Sequence, residues 1–410
     1  MRHTTGPILG AALSAILAGS AVGQEAEVIH QWTSSGEAAA VKVIADRYNA
    51  AGGTWVDTAV TGTSAMIAAE LARLTGGNPP DAMQFAPGDQ MRELADQGLL
   101  RNLDEVAAEN NFAGIFPADF VDAITHDGHI WAIPVNNHGQ NWTWYNKQVL
   151  ADAGAAEPTT WDEFWAAADK IKAAGLVPVA VGAQSWQLRH TFSGILATRG
   201  GSDLYRAVYI DRDEAAIRSP EFREVVETFL KLRDYGDEGM PNRDWNVAAN
   251  MVVTGQAGFF FMGDWAKGEF SAAGQTAGEE FGCVILGDRS SLIMSTDSFV
   301  FPSHGDDSHL AGQALLAGVM VDPVTQAEFN AKKGSLPARL DVDPNTVDAC
   351  TAYGLGIIAD ADRQLVSLEF LATRDFGGAH ADLIGRLWAD PSITVDQFVE
   401  EYITIAKTIP

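Results

Sequence analysis

The stretch Gly258–Phe270, GFFFMGDWAKGEF, joins an apolar run to a helix through a turn that presents a tryptophan. Phe259 to Met262 are apolar and mostly aromatic, which predicts a short strand covered on both faces. Gly263 ends the run, Asp264 stands at an N-cap position, and Trp265, Ala266 and Lys267 open a helix. Upstream, RDWN repeats the arrangement, with Asp244 as the cap and Trp245 just inside another helix. Two tryptophans at helix starts beside one strand end make either a platform for a ligand with flat apolar faces or a pair of core residues. Strand feeding helix in this way points to an α/β chain.

Toward the N-terminus the same alternation recurs three times. VIHQW (Val28 to Trp32) predicts a strand, TSSG a loop, and Val41, Ile44 and Tyr48 the inner face of a helix from Glu37 to Gly52. Trp55 to Val60 follows as a strand, with Thr63 and Ser64 as caps for a helix carrying Ile67, Leu71 and Leu74. Asp81 to Phe85 is a third strand, before a helix near Gln90 to Asp96. This order predicts βαβ units in a mainly parallel sheet, whose ligands sit beyond the carboxyl ends of the strands. Gln31, Trp32, Glu37, Gln84 and Ala86 occupy those positions. From His129 to Tyr145 the texture changes, and the chain is expected to pass into a second lobe there. In PTTWDEF, Thr160 and Glu163 spell a capping box.

With 410 residues, two domains are the default. The formal charge of -27 argues against nucleic acid and anionic membrane surfaces, where phosphate demands a basic face. Arg2, the apolar stretch Ile8 to Ala18 and the small residues Ala21, Val22 and Gly23 predict an export signal cleaved after Gly23. Cys283 and Cys350 are the only cysteines, and an even count in an oxidising compartment predicts a disulfide between them. No CxxC, HExxH or clustered histidine spacing stands out, so neither cofactor nor metal is expected.

The motifs VIHQWTSSGE, GNPPDAMQ, PVNNHGQNWTWYN, PTTWDEF, RDWN, FFFMGDWAKGEF, STDSF and KKGSLPAR, in this order, resemble those of periplasmic sugar-binding proteins of ABC transporters. The resemblance is to the branch that contains the bacterial glucose-binding proteins, and it spans essentially the whole mature chain. It implies a two-lobed periplasmic binding protein fold of the maltose-binding type, with sugar clamped in the hinge cleft. On that analogy one lobe takes residues 24–134 and 287–338, and the other 135–286 and 339–410. The implied sugar contacts are Trp32, Glu37, Gln84, Trp245, Trp265, Asp297, Lys333 and His380. His138, in NNHGQ, suits either a sugar contact or a hydrogen bond joining the lobes. Glu37 has the alternative of a helix N-terminal acid, and Lys333 that of a surface cation.

Pyranose chemistry accounts for these residue types independently. C–H faces stack on indoles, and hydroxyls donate to carboxylates and accept from amides and ammonium groups. Gln31 and Ala86 depart from the glucose pattern, which commonly has a tryptophan and a basic residue there, so D-glucose is not expected to be the tightest ligand. The resemblance further implies a monomer in the periplasm, delivering sugar to membrane permease subunits. An extracytoplasmic carbohydrate enzyme would need paired acids, for which Glu37, Asp264 and Asp297 are the available candidates. A sensor presenting sugar to a receptor would need the same binding residues as a transport protein.

Overall fold

The computed structural model describes residues 24–287, 291–305, 307–343 and 347–409. The export signal and its cleavage point lie outside these described residues. Two mixed sheets organise the chain, each with its own core. In the first, Gln24–His30 lies between Gly53–Ala59 and Ala82–Gln84, all parallel. Ser298–Val300 adds antiparallel beside Ala82–Gln84, and Ala132–Pro134 pairs antiparallel with Ser298–Val300 at the edge. The parallel portion has the helical crossovers read from the sequence, Ser35–Ala50 and Thr63–Thr75.

Local chemistry explains both helix starts. Ser34 and Glu37 form a capping box on Ser35–Ala50, whose buried face includes Val41, Ile44 and Tyr48 as expected. The second helix differs from its reading. Gly62, which has no side chain to cap with, is its N-cap, and the Thr63 hydroxyl expected to cap donates to Gln31 Oε1 at 2.5 Å instead. Its buried face is Met66, Glu70 and Leu74, leaving Ile67 and Leu71 half-buried. Burial pushes the Glu70 carboxyl up to about 9, so it is neutral at physiological pH.

The second sheet runs Phe281–Val284, Trp142–Asn146, Ala257–Met262, Val177–Ala180. Ala257–Met262 is interior, antiparallel to Trp142–Asn146 and parallel to Val177–Ala180. Phe259 and Phe260 point to opposite faces and are both buried, each contributing roughly 1.5–3 kcal/mol. Trp142 and Trp144, two apart, share one face and stack with centroids 5.4 Å apart. A disulfide joins Cys283 to Cys350 on the helix Ala349–Ile358, 67 residues away. Closing a loop of that length contributes about 4 kcal/mol in the chain-entropy model.

Three segments cross between the sheets side by side. Val135 donates its backbone N–H to Asp297 O at 3.0 Å, and Asn137 and Leu336 exchange backbone hydrogen bonds of 2.7 and 3.1 Å. His138–Gly139 pairs with Leu292–Ser295, which also pairs with Gln364–Val366. Residues 135–139, 294–298 and 334–338 thus form a hydrogen-bonded ribbon connecting the sheets. Such a ribbon can bend through a few backbone dihedrals while both cores stay intact.

Candidate functional site

The polar groups of highest density gather on this ribbon, where the carboxyl ends of Gln24–His30 and Ala82–Gln84 meet it. Gln31 N–H donates to Gln84 Oε1 at 3.0 Å, and Gln84 Nε2 donates to Asp297 Oδ1 at 3.2 Å. Asp297 Oδ2 accepts from Asn136 Nδ2 at 2.7 Å and meets His138 Nε2 at 2.9 Å. The other ring nitrogen, His138 Nδ1, meets Asp264 Oδ1 at 2.5 Å. Asp264 Oδ2 accepts the Gly139 backbone N–H at 2.7 Å.

Between two carboxylates His138 is held as an imidazolium. Burial opposes that charge, yet Asp264 and Asp297 outweigh it and push the pKa up to about 9. Asp297, only partly buried, is held well below the usual carboxylate range by His138, Lys333 and Asn136, which outweigh its desolvation. His138 therefore spends both nitrogens on joining the second lobe's turn to the ribbon. Asp264 does the same: the turn's N-cap position falls on Trp265 without a side-chain bond, so the expected capping role is replaced by this contact.

Lys333 and Glu37 complete the first-lobe side. Lys333 Nζ lies 3.3 Å from Glu37 Oε1 and 5.8 Å from the Trp32 ring centroid. Glu37 Oε2 also closes the capping box, so it serves as helix N-terminal acid and as partner of Lys333 together. Lys333 is buried rather than a surface cation. Trp32 packs into the first-lobe core against Phe299 and Phe329, with centroids 5.6 and 5.2 Å away. Ala86 is exposed beyond the strand end.

The second-lobe wall is aromatic. Trp265 is half-buried, edge-on to His138 at 5.0 Å and to His190 at 5.5 Å, with Trp186 at 6.5 Å. A β-carbon on Gly263 would meet the Trp265 ring at 2.2 Å, so that glycine does more than end the strand: it makes room for the indole to fold back. Trp245 opens its helix as expected, half-buried against the same apolar cluster. Asp244 accepts from Gln184 at 2.8 Å, and Gln184 Oε1 takes the Trp186 indole N–H at 2.8 Å. Sequence reading missed Trp186 and His190. The available signal was a third tryptophan just inside a helix start, here Ser185–Ile195. Burial pushes His190 down to about 4, which leaves its ring neutral.

His380 is a candidate that the fold carries away from this array. It lies on Arg374–Ala389 in the second-lobe core, ringed by Tyr209 and Tyr402 at 5.3 and 5.4 Å and by Phe192 at 6.2 Å. Phe376 and Leu383, four before and three after, mark that face as the inner one, and burial pushes the imidazole down to about 3.

The lobes touch through glycines. A β-carbon on Gly36 would lie 2.7 Å from the backbone carbon of Gly268, and one on Gly268 would lie 2.8 Å from the Lys333 carbonyl. Gly36 N–H donates to Glu269 Oε1 across the same junction at 3.0 Å. Gly334, at φ +93°, turns the chain beneath it.

Asp264 is buried and both its oxygens are engaged, so it is not placed as an acid across a scissile bond. What the array offers is a set of donors and acceptors bounded by indole rings between two hinged bodies.

Comparison with known proteins gives the same architecture. A family model described as bacterial extracellular solute-binding protein matches residues 32–363. A probable sugar-binding periplasmic protein of Brucella melitensis is 39% identical over 374 residues, covering 89% of this chain and 88% of that protein. One of the same description from Rhizobium meliloti is 40% identical over 363 residues, covering 88% and 86%. Among solved structures, a chitin oligosaccharide binding protein superposes with a TM-score of 0.76 at 18% identity, over 94% of this chain and 98% of that one. Maltose-bound T. maritima MalE3 does so at 0.74 and 15% identity, over 93% and 99%. These neighbours have the two-domain solute-binding fold, and the chain belongs to the bacterial extracellular solute-binding protein family.

Proposed function

We propose that this protein is the periplasmic sugar-binding component of an ABC importer, closing on a monosaccharide or small saccharide and delivering it to membrane permease subunits. The observation that carries the reading is the ribbon array: Gln31, Gln84, Asp297, Glu37 and Lys333 cluster on one side, and His138 links Asp297 to Asp264 and packs edge-on to Trp265, which lies beside Trp186. Carboxylate, amide and ammonium groups match a sugar's hydroxyl rim, and indoles match its C–H faces. The names of its relatives support the same ligand class. The chain would be exported by cleavage after Gly23 and would act as a monomer.

In this reading the first lobe comprises residues 24–134 and the segment that returns to it, ending at Ala338. That returning segment is taken as 287–338; within it Leu292–Ser295 pairs with Gln364–Val366 and Ser298–Val300 pairs with the first sheet. Ligand favours the closed form because both sets of contacts reach it only there. Calorimetry of the mature chain against monosaccharides, disaccharides and polyols tests the proposal. One sugar binding per chain, with unchanged sugar recovered afterwards, is the expected result; no heat with any carbohydrate, or product formation, refutes it.

A further inference from the structure

At the other end of the strand Ala82–Gln84, away from the ribbon, three side chains with metal-ligand chemistry converge. Asp81 precedes the strand and is buried. Its Oδ2 accepts the Glu27 backbone N–H at 2.8 Å, and its Oδ1 faces two imidazoles, His309 Nδ1 at 2.6 Å and His304 Nε2 at 3.7 Å. These three donor atoms all lie within 4.8 Å of one another, and the two rings are stacked with centroids 3.7 Å apart. We propose that Asp81, His304 and His309 form a binding site for one divalent first-row cation, zinc being the best match to two imidazoles and a carboxylate.

The distances fit that assignment. Zinc bonds of about 2.0–2.2 Å in tetrahedral geometry place ligand atoms roughly 3.3–3.5 Å apart, and the observed 2.6 and 3.7 Å straddle this separation. Both rings must turn out of their stacked arrangement for their in-plane lone pairs to meet at one cation. A cation bound there replaces the His309–Asp81 hydrogen bond, and the displaced proton leaves to solvent.

The surroundings are already those of a metal ligand's outer shell. The Glu27 N–H orients the carboxylate, and Gln313 Nε2 donates to both Asp81 O and Pro302 O, at 3.0 and 2.8 Å, fixing the strand start against the segment that carries the histidines. His309 is 42% exposed while His304 is 10% exposed, so the site opens to solvent on one side, where water supplies the remaining ligand. Asp81 and Gln84 flank opposite ends of the same strand, which separates this site from the proposed sugar site and makes its role structural. No motif reveals it, because Asp81 and His309 are 228 residues apart in sequence.

The test uses the tag-free mature chain, titrated with zinc chloride, passed through gel filtration and analysed for retained metal. The expected result is one zinc per chain at neutral pH, with uptake reduced at least tenfold at pH 5 and in the His304→Gln/His309→Gln double variant. Asp81→Asn also loses the Glu27 contact and can fail to fold, so the histidine pair carries the test. A second described cluster, Asp96, His126 and Asp127, serves as the control through His126→Gln, which should keep full uptake. X-ray absorption of the loaded wild type needs no variant and should show two imidazoles and a carboxylate. Failure of the wild type to retain zinc, uptake that survives in the double variant, or a spectrum with fewer than two imidazoles overturns the proposal. Zinc should raise the melting midpoint and leave the sugar dissociation constant within twofold.

Discussion

Gly268→Ala is the sharpest test of hinge closure, because two effects of the same methyl group have opposite signs. Gly268 sits inside the helix Ala266–Ala272, where alanine is favoured over glycine by roughly 0.5–1 kcal/mol. Considered alone, the second lobe should be slightly stabilised. In the closed junction, however, the new β-carbon would lie 2.8 and 3.0 Å from the carbonyl oxygens of Lys333 and Lys332. Both are backbone atoms and cannot swing aside, so the junction itself must part by several tenths of an ångström. That overpacking costs roughly 1–3 kcal/mol, and in the proposed hinge mechanism it falls on the closed form, taken as the one in which Gly36 and Glu269 meet. The bound state is reached only when the lobes close, so sugar affinity should fall by about 5- to 150-fold. Calorimetry with the sugar that binds wild type most tightly gives the affinity, and scanning calorimetry without sugar gives the midpoint. A variant with unchanged affinity, or one whose lost affinity follows a fallen midpoint, would refute the reasoning.

Three further outcomes are expected. Trp265→Ala should cost roughly 2–4 kcal/mol of sugar binding with a smaller effect on the unfolding midpoint; the reverse pattern returns Trp265 to the core. His138, raised to about 9, contributes up to about 3 kcal/mol that is fully present below its ordinary value near 6.5 and lost as pH rises through 9, so urea midpoints of wild type and His138→Gln should converge above that pH. Gln31→Trp with Ala86→Lys should raise D-glucose affinity relative to the preferred sugar, and glucose binding wild type most tightly would contradict it.

Much of the architecture was legible because its signals are local. The capping boxes at Ser34 and Thr160, the helix starts at Trp245 and after Trp265, and the apolar strand before Gly263 are written within a few residues each. The roles of Asp264 and Glu70 were not. A residue at an N-cap position reads as a cap until a distant imidazole competes for it, and His138 is 126 residues away. The stripe Ile67, Leu71 and Leu74 gives no sign of Glu70, which the fold turns inward with Met66 and Leu74. The same limit applies to the candidate site: motif order indicated Gln84, Asp297 and Lys333, while Trp186 and His190 needed the fold to bring their helix beside Trp265.

The arrangement of charge also bears on why closure and binding are one event. Asp297 belongs to a crossing segment, His138 to another, and Lys333 precedes the third. Any rotation of the lobes changes the angle between these segments, and hence the spacing of Asp264, His138 and Asp297, which are hydrogen-bonded in series. A sugar hydroxyl accepted by Asp297 or donated to by Lys333 would bear on the same groups that set the ribbon's geometry. Ligand contact and lobe angle are then coupled through shared atoms, with no relay through either core. Substitutions at Asp297 or His138 should for that reason alter the apo lobe angle as well as affinity, whereas Trp265, outside the hydrogen-bonded series, should alter affinity alone. Small-angle scattering of the three alanine variants without sugar separates these cases, and an identical apo envelope for all three would dissolve the proposed coupling.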